Sequence, residues 1–521
     1  MTLANIATAC GGTYFGPEKG KDTEIQGAVI DSRQVEEGFL FIPIKGERVD
    51  GHKFIPNVFA QGAAAVLSEV ELENPAGPYI LVESTPVALK AIAEFYREQL
   101  DIRIVGIAGS VGKTSTKEMV ASVLEQKYCV LKTAGNFNNE VGLPLTILRI
   151  REEHEVAVVE MGISDFGEMH RLAKIAKPDI CVMTNIGMAH LENLKSRDGI
   201  LKAKSEMFDF LKEDGVIVLN GNDDKLSTVA AVPVNGKTET GMTAGAGYDS
   251  AVKKAVTPIR YIVADQEGKF VSDTFEKVDN FDETVMVRGI NVENRGLEGM
   301  AFTLQFPEEE LQTLVPIPGM HNVYNACAGA CVGRKLALTN AQIVAGIESA
   351  KTIDGRTNLV KVNDMIIIDD CYNANPVSMR ASLDVLAQGK GRKIAVLGDM
   401  GELGENERQL HAEIGAYAAE KSIDALFCAG ELSAEMANAA QEMNMVKMAE
   451  GTGSFMQIYH FADKETLLTT LLPYVKAGDT VLVKASHFME YPEIVKALSL
   501  SRDKYKQIIN GKKVIENMFK K

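Results

Sequence analysis

The chain has 521 residues, which at about 150 residues per domain implies three or four domains. It carries 55 Lys plus Arg against 71 Asp plus Glu, a formal charge of −16. That balance excludes nucleic-acid or anionic-membrane binding as the main task, since either needs a dominant basic surface, while a few placed cations still suffice for an anionic substrate.

The N-terminus, Met1-Thr2-Leu3-Ala4-Asn5, lacks the basic segment that opens a secretory leader. Residues 1–84 mix short β-like runs, Phe39 to Ile44 and Ala63 to Leu67, with a charged, turn-rich stretch from Lys45 to His52. From residue 85 strands and helices alternate. Strands are predicted over Ile102–Ile107, Val156–Glu160 and Ile180–Thr184, and helices over Lys113–Gln126, Phe166–Ala176 and Ile200–Leu211. Such spacing predicts a parallel, doubly wound sheet. Residues 223–315, rich in Gly, Thr and Val with acidic turns such as Asp279-Asn280-Phe281-Asp282, read as an antiparallel add-on to it. A helix resumes over Asn322–Ala337.

After Asp354-Gly355-Arg356 a second α/β series begins. Its predicted strands are Met365–Ile368, Lys393–Leu397, Ala425–Cys428 and Thr480–Val483; its helices include Ser378–Ala387, Glu407–Lys421 and Lys464–Leu472. The expected fold class is therefore α/β in three domains. These are a small N-terminal domain (1–84), a central doubly wound parallel-sheet domain with a β insertion (85–353), and a Rossmann-like C-terminal domain (354–521). No apolar run approaches the roughly 20 residues of a membrane-spanning helix. Seven cysteines stand singly without a CxxC pair, so reduced thiols, no zinc site and a cytoplasmic location are expected.

The sharpest local signal is Gly106-Ile107-Ala108-Gly109-Ser110-Val111-Gly112-Lys113-Thr114-Ser115, between a buried strand and a helix. Small residues let backbone amides curl around phosphate oxygens, and the helix N-terminus adds partial positive charge. Gly109, Ser110, Gly112, Lys113, Thr114 and Ser115 are the candidate nucleotide-binding residues. Lys113 would reach the β- and γ-phosphates, and Thr114 would hold Mg²⁺. The loop is a variant, because the usual spacing wants glycine at Ile107. A glycine-rich turn without a ligand would also explain the glycines, but not their coincidence with strand, Gly-Lys-Thr and helix. GTPases, motors, kinases and ligases share such loops. No Asn-Lys-x-Asp tetrad occurs, which weakens the GTPase option. The usual acidic strand end carries Glu160, facing the crevice where ligands sit in open α/β sheets, and Glu160 is a candidate Mg²⁺ ligand.

Several stretches, in order, resemble one family. Gly109 to Thr114, Thr133-Ala134-Gly135-Asn136-Phe137-Asn138-Asn139-Glu140-Val141-Gly142-Leu143-Pro144, Thr184-Asn185-Ile186-Gly187-Met188-Ala189-His190-Leu191 and Asp369-Asp370-Cys371-Tyr372-Asn373-Ala374-Asn375-Pro376 are similar to the ATP-dependent Mur ligases of peptidoglycan synthesis. The second and fourth most resemble the branch that joins D-alanyl-D-alanine to a UDP-N-acetylmuramoyl-tripeptide. The resemblance implies an ADP-forming ligase of cell-wall biogenesis, and hence of cell shape and division, working as a monomer with ATP and Mg²⁺. Lys113 and the loop would clamp the moving phosphoryl group; Thr114, Glu160 and His190 would position Mg²⁺. Lys204 matches the family lysine that CO₂ converts to a carbamate, an anion able to bridge toward Mg²⁺, although as bare sequence it reads as a surface helix lysine.

By the same resemblance Asn322, Asn325 and Arg356 serve the nucleotide, and Asp370 its ribose. For Asn322, helix capping is the plainer reading. Ser32, Arg33, Lys45, Gly46 and His52 fall in the segment for the uridine diphosphate, where cations and amides offset its charge, although a charged turn alone reads as solvated. Asn138 and Asn139 would hold the muramoyl-peptide end, and Tyr372, Asn373 and Asn375 are further substrate contacts. One departure stands out. Where the family pattern reads Lys-Gly/Ala-Ser-Arg, this chain has Lys484-Ala485-Ser486-His487, so a contact to the incoming dipeptide's carboxylate from that position is in doubt. Rival readings are a sister ligase adding one amino acid, a folate polyglutamylating enzyme of the same build, or a P-loop nucleotide switch.

Overall fold

Three sheets organise the computed structural model, which describes residues 1–46, 49–188, 190–233, 255–264, 284–421, 423–451 and 455–500. The first holds β1 (Thr13–Phe15), β2 (Gly27–Val29), β3 (Phe39–Phe41), β4 (Ala65–Ser68) and β5 (Tyr79–Leu81), in the order β1-β5-β4-β3-β2. All neighbours run parallel except β1, which pairs antiparallel at one edge. The run expected over Phe39–Ile44 stops at Phe41, just short of Pro43, which has no N–H to give a ladder.

The helix Thr85–Glu98 joins this sheet to the next. Its buried Ala88, Leu89, Ile92 and Ala93 recur with helical period. It packs on the helix Leu3–Cys10 on one side and on the helices Gly142–Ile147 and Glu168–Ala176 on the other. Buried Arg97 closes the joint: Nε donates to the Ala176 carbonyl at 2.9 Å and Nη2 to that of Lys177 at 3.2 Å, with Asp179 at 3.6 Å.

The central strands are β6 (Arg103–Ala108), β7 (Val130–Lys132), β8 (Val156–Glu160), β9 (Ile180–Met183) and β10 (Val216–Asn220). They continue as β11 (Val232–Pro233), β12 (Ala255–Val256), β13 (Ile259–Val263), β14 (Val285–Asn294), β15 (Met300–Gln305) and β16 (Glu310–Val315). Nine of them form one sheet, β16-β15-β14-β13-β10-β9-β6-β8-β7, while β11 and β12 pair separately. Alternate residues face opposite ways, so Ile104, Ala157, Val159 and Cys181 join one core, and Val105, Ile107, Val158 and Val182 the other. The helices Lys113–Leu124 and Met320–Lys335 cover the second face.

The expected antiparallel add-on is part of this sheet. β14, β15 and β16 are antiparallel as read, but β13 is parallel to both β10 and β14. Residue alternation has the same period in both arrangements; the connection sets direction, not the pattern. The acidic turn Asp279–Asp282 lies outside the described residues, as does the basic tail from Lys512. The helix expected over Ile200–Leu211 runs from Arg197 to Ser205 and then tightens into a 3₁₀ turn over Glu206–Phe208.

The third sheet has β17 (Asn358–Val362), β18 (Met365–Asp369), β19 (Lys393–Gly398), β20 (Ala425–Ala429), β21 (Gln457–Phe461) and β22 (Thr480–Lys484). Its order is β17-β18-β22-β19-β20-β21, parallel except for β17 at the edge. Two cores, one on each face, make it doubly wound. No helix among the described residues is long and apolar enough to cross a membrane.

Because Arg97 ties the joining helix to two carbonyls, Arg97→Met should destabilise the chain by about 2 kcal/mol through unsatisfied buried acceptors. Chemical denaturation checks this as a lower midpoint at an unchanged slope.

Candidate active site

Parallel strands present their carboxyl ends on one edge, and the predicted site residues gather there. β6 delivers the phosphate loop. Gly109 has φ +152°, and a Cβ there would lie 1.9 Å from Thr184 Oγ1; Gly112, at φ +83°, heads the helix Lys113–Leu124. The segment after β9 clamps the loop. Ser110 N donates to the Asn185 carbonyl (3.0 Å), and Val111 N to Asn185 Oδ1 (2.9 Å). Thr184 Oγ1 donates to the Val111 carbonyl (2.7 Å), and Gly187 N to Ser110 Oγ (2.9 Å). Gly106 serves β6 instead of the loop, since a Cβ there would meet Met161 Sδ at 2.9 Å. Lys113 Nζ folds back onto the Gly109 carbonyl at 3.0 Å. Burial lowers its pKa; Glu160 opposes this shift and Arg356 adds to it.

Glu160, 2% exposed, ends β8. Its Oε2 accepts from Thr114 Oγ1 (2.9 Å) and its Oε1 from Asn138 Nδ2 (2.7 Å), and its own N–H donates to Thr133 Oγ1 (3.0 Å). Among the described residues this carboxylate forms no direct ion pair, although Lys113 lies within its electrostatic reach. No cluster of three or more His, Cys, Asp or Glu that could hold a metal is found among them either. A cation here would draw most of its shell from phosphate and water, the habit of Mg²⁺.

Lys204 is 1% exposed, which corrects the surface reading of the bare sequence: the helix Arg197–Ser205 turns it inward. Among the described residues its Nζ makes no hydrogen bond or ion pair, and burial, with the Lys113 charge, drives its pKa well down. His190 has φ +60°, a costly setting for a residue with a side chain, and its Nδ1 lies 3.3 Å from Glu402 Oε2 of the loop after β19. Burial lowers the His190 pKa, with Glu402 opposing and Lys204 and Lys113 adding.

A shallow cleft opens beside the loop helix, lined by Ser115, Glu118, Asn322, Ala350, Thr352 and Arg356 among others. Arg356 Nη2 is 3.5 Å from Thr114 Oγ1, its guanidinium lies 4.1 Å from the Tyr372 ring centroid, and its buried Nε has no partner. An orphaned donor beside a glycine cradle fits an anionic phosphate. Asn322 lines the cleft, but its amide nitrogen donates to the Pro318 carbonyl (2.9 Å) and its oxygen accepts from Asn325. Asn325 is buried and accepts from Thr116 Oγ1 (2.8 Å), locking the helix Met320–Lys335 to the loop helix. Asp370 is saturated from within: Thr357 N, Ser382 Oγ and Lys484 Nζ (2.7 Å) all donate to it.

The remaining candidates split. Asn139 Oδ1 accepts from Gly142 N (2.9 Å) at the head of a helix, and Asn375 caps the helix Pro376–Ala387 through Ser378 N. Asn373 is exposed, its Oδ1 accepting from Ala374 N. Ser32, Arg33, Lys45, Gly46 and His52 gather beyond the carboxyl ends of β2 and β3 in the first sheet. Arg33 pairs with Asp31 at 2.6 Å, holding that carboxyl at about 2, and His52 Nδ1 sits 2.7 Å from Asp50. None of the five makes a described contact with the phosphate loop. Sequence reasoning missed the Asn138–Glu160 bond, the Asn185 clamp and Glu402. The clamp alone left a signal, the Thr184-Asn185 pair directly after a strand.

Comparison with known proteins identifies the family. Three family models match: the Mur ligase family, catalytic domain, over residues 24–99; the Mur ligase middle domain over 107–333; and the Mur ligase, glutamate ligase domain, over 355–487. The chain is 36% identical over 502 residues to the UDP-N-acetylmuramoyl-tripeptide–D-alanyl-D-alanine ligase of Bacillus subtilis, covering 95% of this chain and 98% of that one. Its fold resembles a crystal structure of MurF from Acinetobacter baumannii, with TM-score 0.76 and 28% identity over 96% of this chain and 98% of that one. The MurF ligase from Thermotoga maritima in complex with ADP follows at TM-score 0.71 and 27% identity, over 92% and 97%.

Since a Cβ on Gly109 would strike Thr184, Gly109→Ala should weaken ADP binding by about tenfold or more, the equivalent of the roughly 1–3 kcal/mol of an overpacked contact. Isothermal titration with ADP measures it.

Proposed function

The chain belongs to the Mur ligase family, and on that premise we propose that it joins D-alanyl-D-alanine to a UDP-N-acetylmuramoyl-tripeptide, using ATP, in peptidoglycan precursor synthesis. It is an ADP-forming ligase. The observation that carries the reading is the line Asn138–Glu160–Thr114: a residue of the asparagine-rich segment typical of the dipeptide-adding branch is bonded to the carboxylate that serves the phosphate loop. A nucleotide switch or a single-residue ligase gains no comparable support, because the near-full-length relative is named for the dipeptide reaction.

In this reaction the γ-phosphoryl of ATP moves to the terminal carboxylate of the tripeptide, giving ADP and an acyl phosphate. The dipeptide amine then attacks the acyl carbon, phosphate leaves, and the amine gives up a proton. Crowded anions need clamping more than an enzymic nucleophile. Lys113, the loop amides and Arg356 supply positive charge, while Thr114, Glu160 and His190 would hold Mg²⁺. Bound there, Mg²⁺ supplies Lewis-acid charge neutralisation. Lys204 is buried, and burial together with the Lys113 charge drives its pKa down toward the neutral amine, the form that adds CO₂ with loss of one proton to give a carbamate; that anion would be a further ligand. The cleft beside Ser115 and Asn322 suits the adenine, with Asn325 and Asp370 shaping its walls. Ser32, Arg33, Lys45, Gly46 and His52 would hold the uridine diphosphate, and Asn138 and Asn139 the peptide end. Asn373 and Asn375 frame the acceptor side.

The working units are residues 1–84 for the UDP substrate, 85–353 for ATP and 354–521 for the acceptor and nucleotide, with the helix Thr85–Glu98 packing across the first boundary. Closure of the third unit would shield the acyl phosphate from water. We place the enzyme in the cytoplasm as a monomer.

Phosphate release should require ATP, UDP-N-acetylmuramoyl-tripeptide and D-alanyl-D-alanine together; equal turnover with either of the last two omitted would sink the reading. Lys113→Ala should lower kcat by about a hundredfold to a thousandfold, in the range of a lost charge-stabilising donor. Lys204→Ala should be similarly inactive and regain activity with added short-chain carboxylates; full activity without them would remove the carbamate role.

A further inference from the structure

Arg356 presents a physical problem. Its Nε is buried without a partner, and among the described residues no carboxylate pairs with its guanidinium. Yet the group is aimed at the phosphate loop, with Nη2 3.5 Å from Thr114 Oγ1. A long side chain with so few polar contacts has rotamer freedom to lose when a ligand arrives.

What holds it is a ring. The guanidinium carbon lies 4.1 Å from the Tyr372 centroid, and the His487 ring packs near the same tyrosine, centroids 5.7 Å apart and tilted by 38°. The backbone fixes the register as well. Tyr372 N donates to the carbonyl of Gly355, the residue before Arg356, at 3.2 Å. Gly355 stands at φ +75°, where a Cβ would approach Tyr372 Cβ and N at 3.2 Å. The Tyr372 hydroxyl, by contrast, makes no hydrogen bond among the described residues. Its ring is engaged by Arg356 and by His487.

We infer that Tyr372 is a positioning residue, not a substrate contact: its ring presets the Arg356 guanidinium over the phosphate loop, with His487 packed against the tyrosine. All three residues lie in the third unit, and the contact that crosses to the second is that of Arg356 Nη2 with Thr114 Oγ1. Guanidinium–aromatic contact supplies orientation without consuming the donors that the phosphates need. His487, which stands where the family pattern has arginine, packs near this tyrosine. The inference concerns the same site as the ligase reading and rests on it only for its first readout.

The test is a double-mutant cycle on ADP formation in a single turnover with ATP and UDP-N-acetylmuramoyl-tripeptide, the dipeptide left out. Tyr372→Leu should slow this step by about tenfold to a hundredfold, as expected for a displaced charge-clamping group, with the steady-state KM for the dipeptide unmoved. Added to Arg356→Ala it should have little further effect, because both changes remove one function. Tyr372→Phe, which keeps the ring, should recover most of the lost rate. It also decides the matter if the leucine variant fails to fold: a phenylalanine variant as slow as Arg356→Ala would overturn the inference. So would effects that multiply in the cycle, or a Tyr372→Leu variant that raises the dipeptide KM while forming ADP at the normal rate. If the wild type forms no ADP with the UDP-peptide, the ligase reading fails and the cycle is read on ADP affinity instead. Coupled losses there would still uphold the stack, and additive ones would remove it.

Discussion

The site depends on one buried carboxylate that ties two loops together. β8 is buried along its whole length, so Glu160 arrives at the crevice already stripped of water. Each oxygen is satisfied as a hydrogen-bond acceptor, one by Thr114 and one by Asn138, yet neither donor carries charge. A buried carboxylate is costly unless it is hydrogen-bonded and faced by positive charge, and Lys113 is near enough for Glu160 to oppose the fall in its pKa. The same two bonds bring the phosphate loop and the asparagine-rich loop to a common point. Remove the carboxylate, and these loops lose their shared anchor.

Around that point the fold repeats one device three times. Parallel strands end in loops on one edge, and each sheet offers its own set: Ser32 to His52 from the first, the phosphate loop with Glu160 and His190 from the second, Tyr372 and His487 from the third. No single sheet supplies all the groups that an acyl-phosphate reaction needs. The contacts of Arg356 with Thr114 and of Glu402 with His190 show the second and third sets meeting. A net charge of −16 is then no obstacle to anionic substrates, because the field that matters is set locally by Lys113, Arg356 and a bound metal.

Some of this was legible in the chain and some was not, for physical reasons. The strand, Gly-Lys-Thr and helix are contiguous, so the loop was readable from local geometry. Glu160 was readable because the end of a buried strand has a known place in such sheets. Lys204 was not, since helix periodicity could not say which neighbours cover it. Asn138 and Asn322 show the limit clearly. Both are asparagines expected from sequence to bind a ligand, but one bonds Glu160, 22 positions away in sequence, and the other holds a turn at Pro318. An amide carries two donors and an acceptor and does not announce its partner. Likewise β13 looked like any alternating strand, and only its neighbours revealed it as parallel.

The segment Ala350–Thr357 has a double assignment: it walls the nucleotide cleft, and it is the chain's only covalent passage from the second sheet to the third. A ligand resting against Thr352 and Arg356 therefore rests against the joint itself. Any setting of the joint that improves this fit is favoured by the ligand to the same extent, by reciprocity of coupled equilibria. Nucleotide occupancy and the angle between the two units become a single thermodynamic variable.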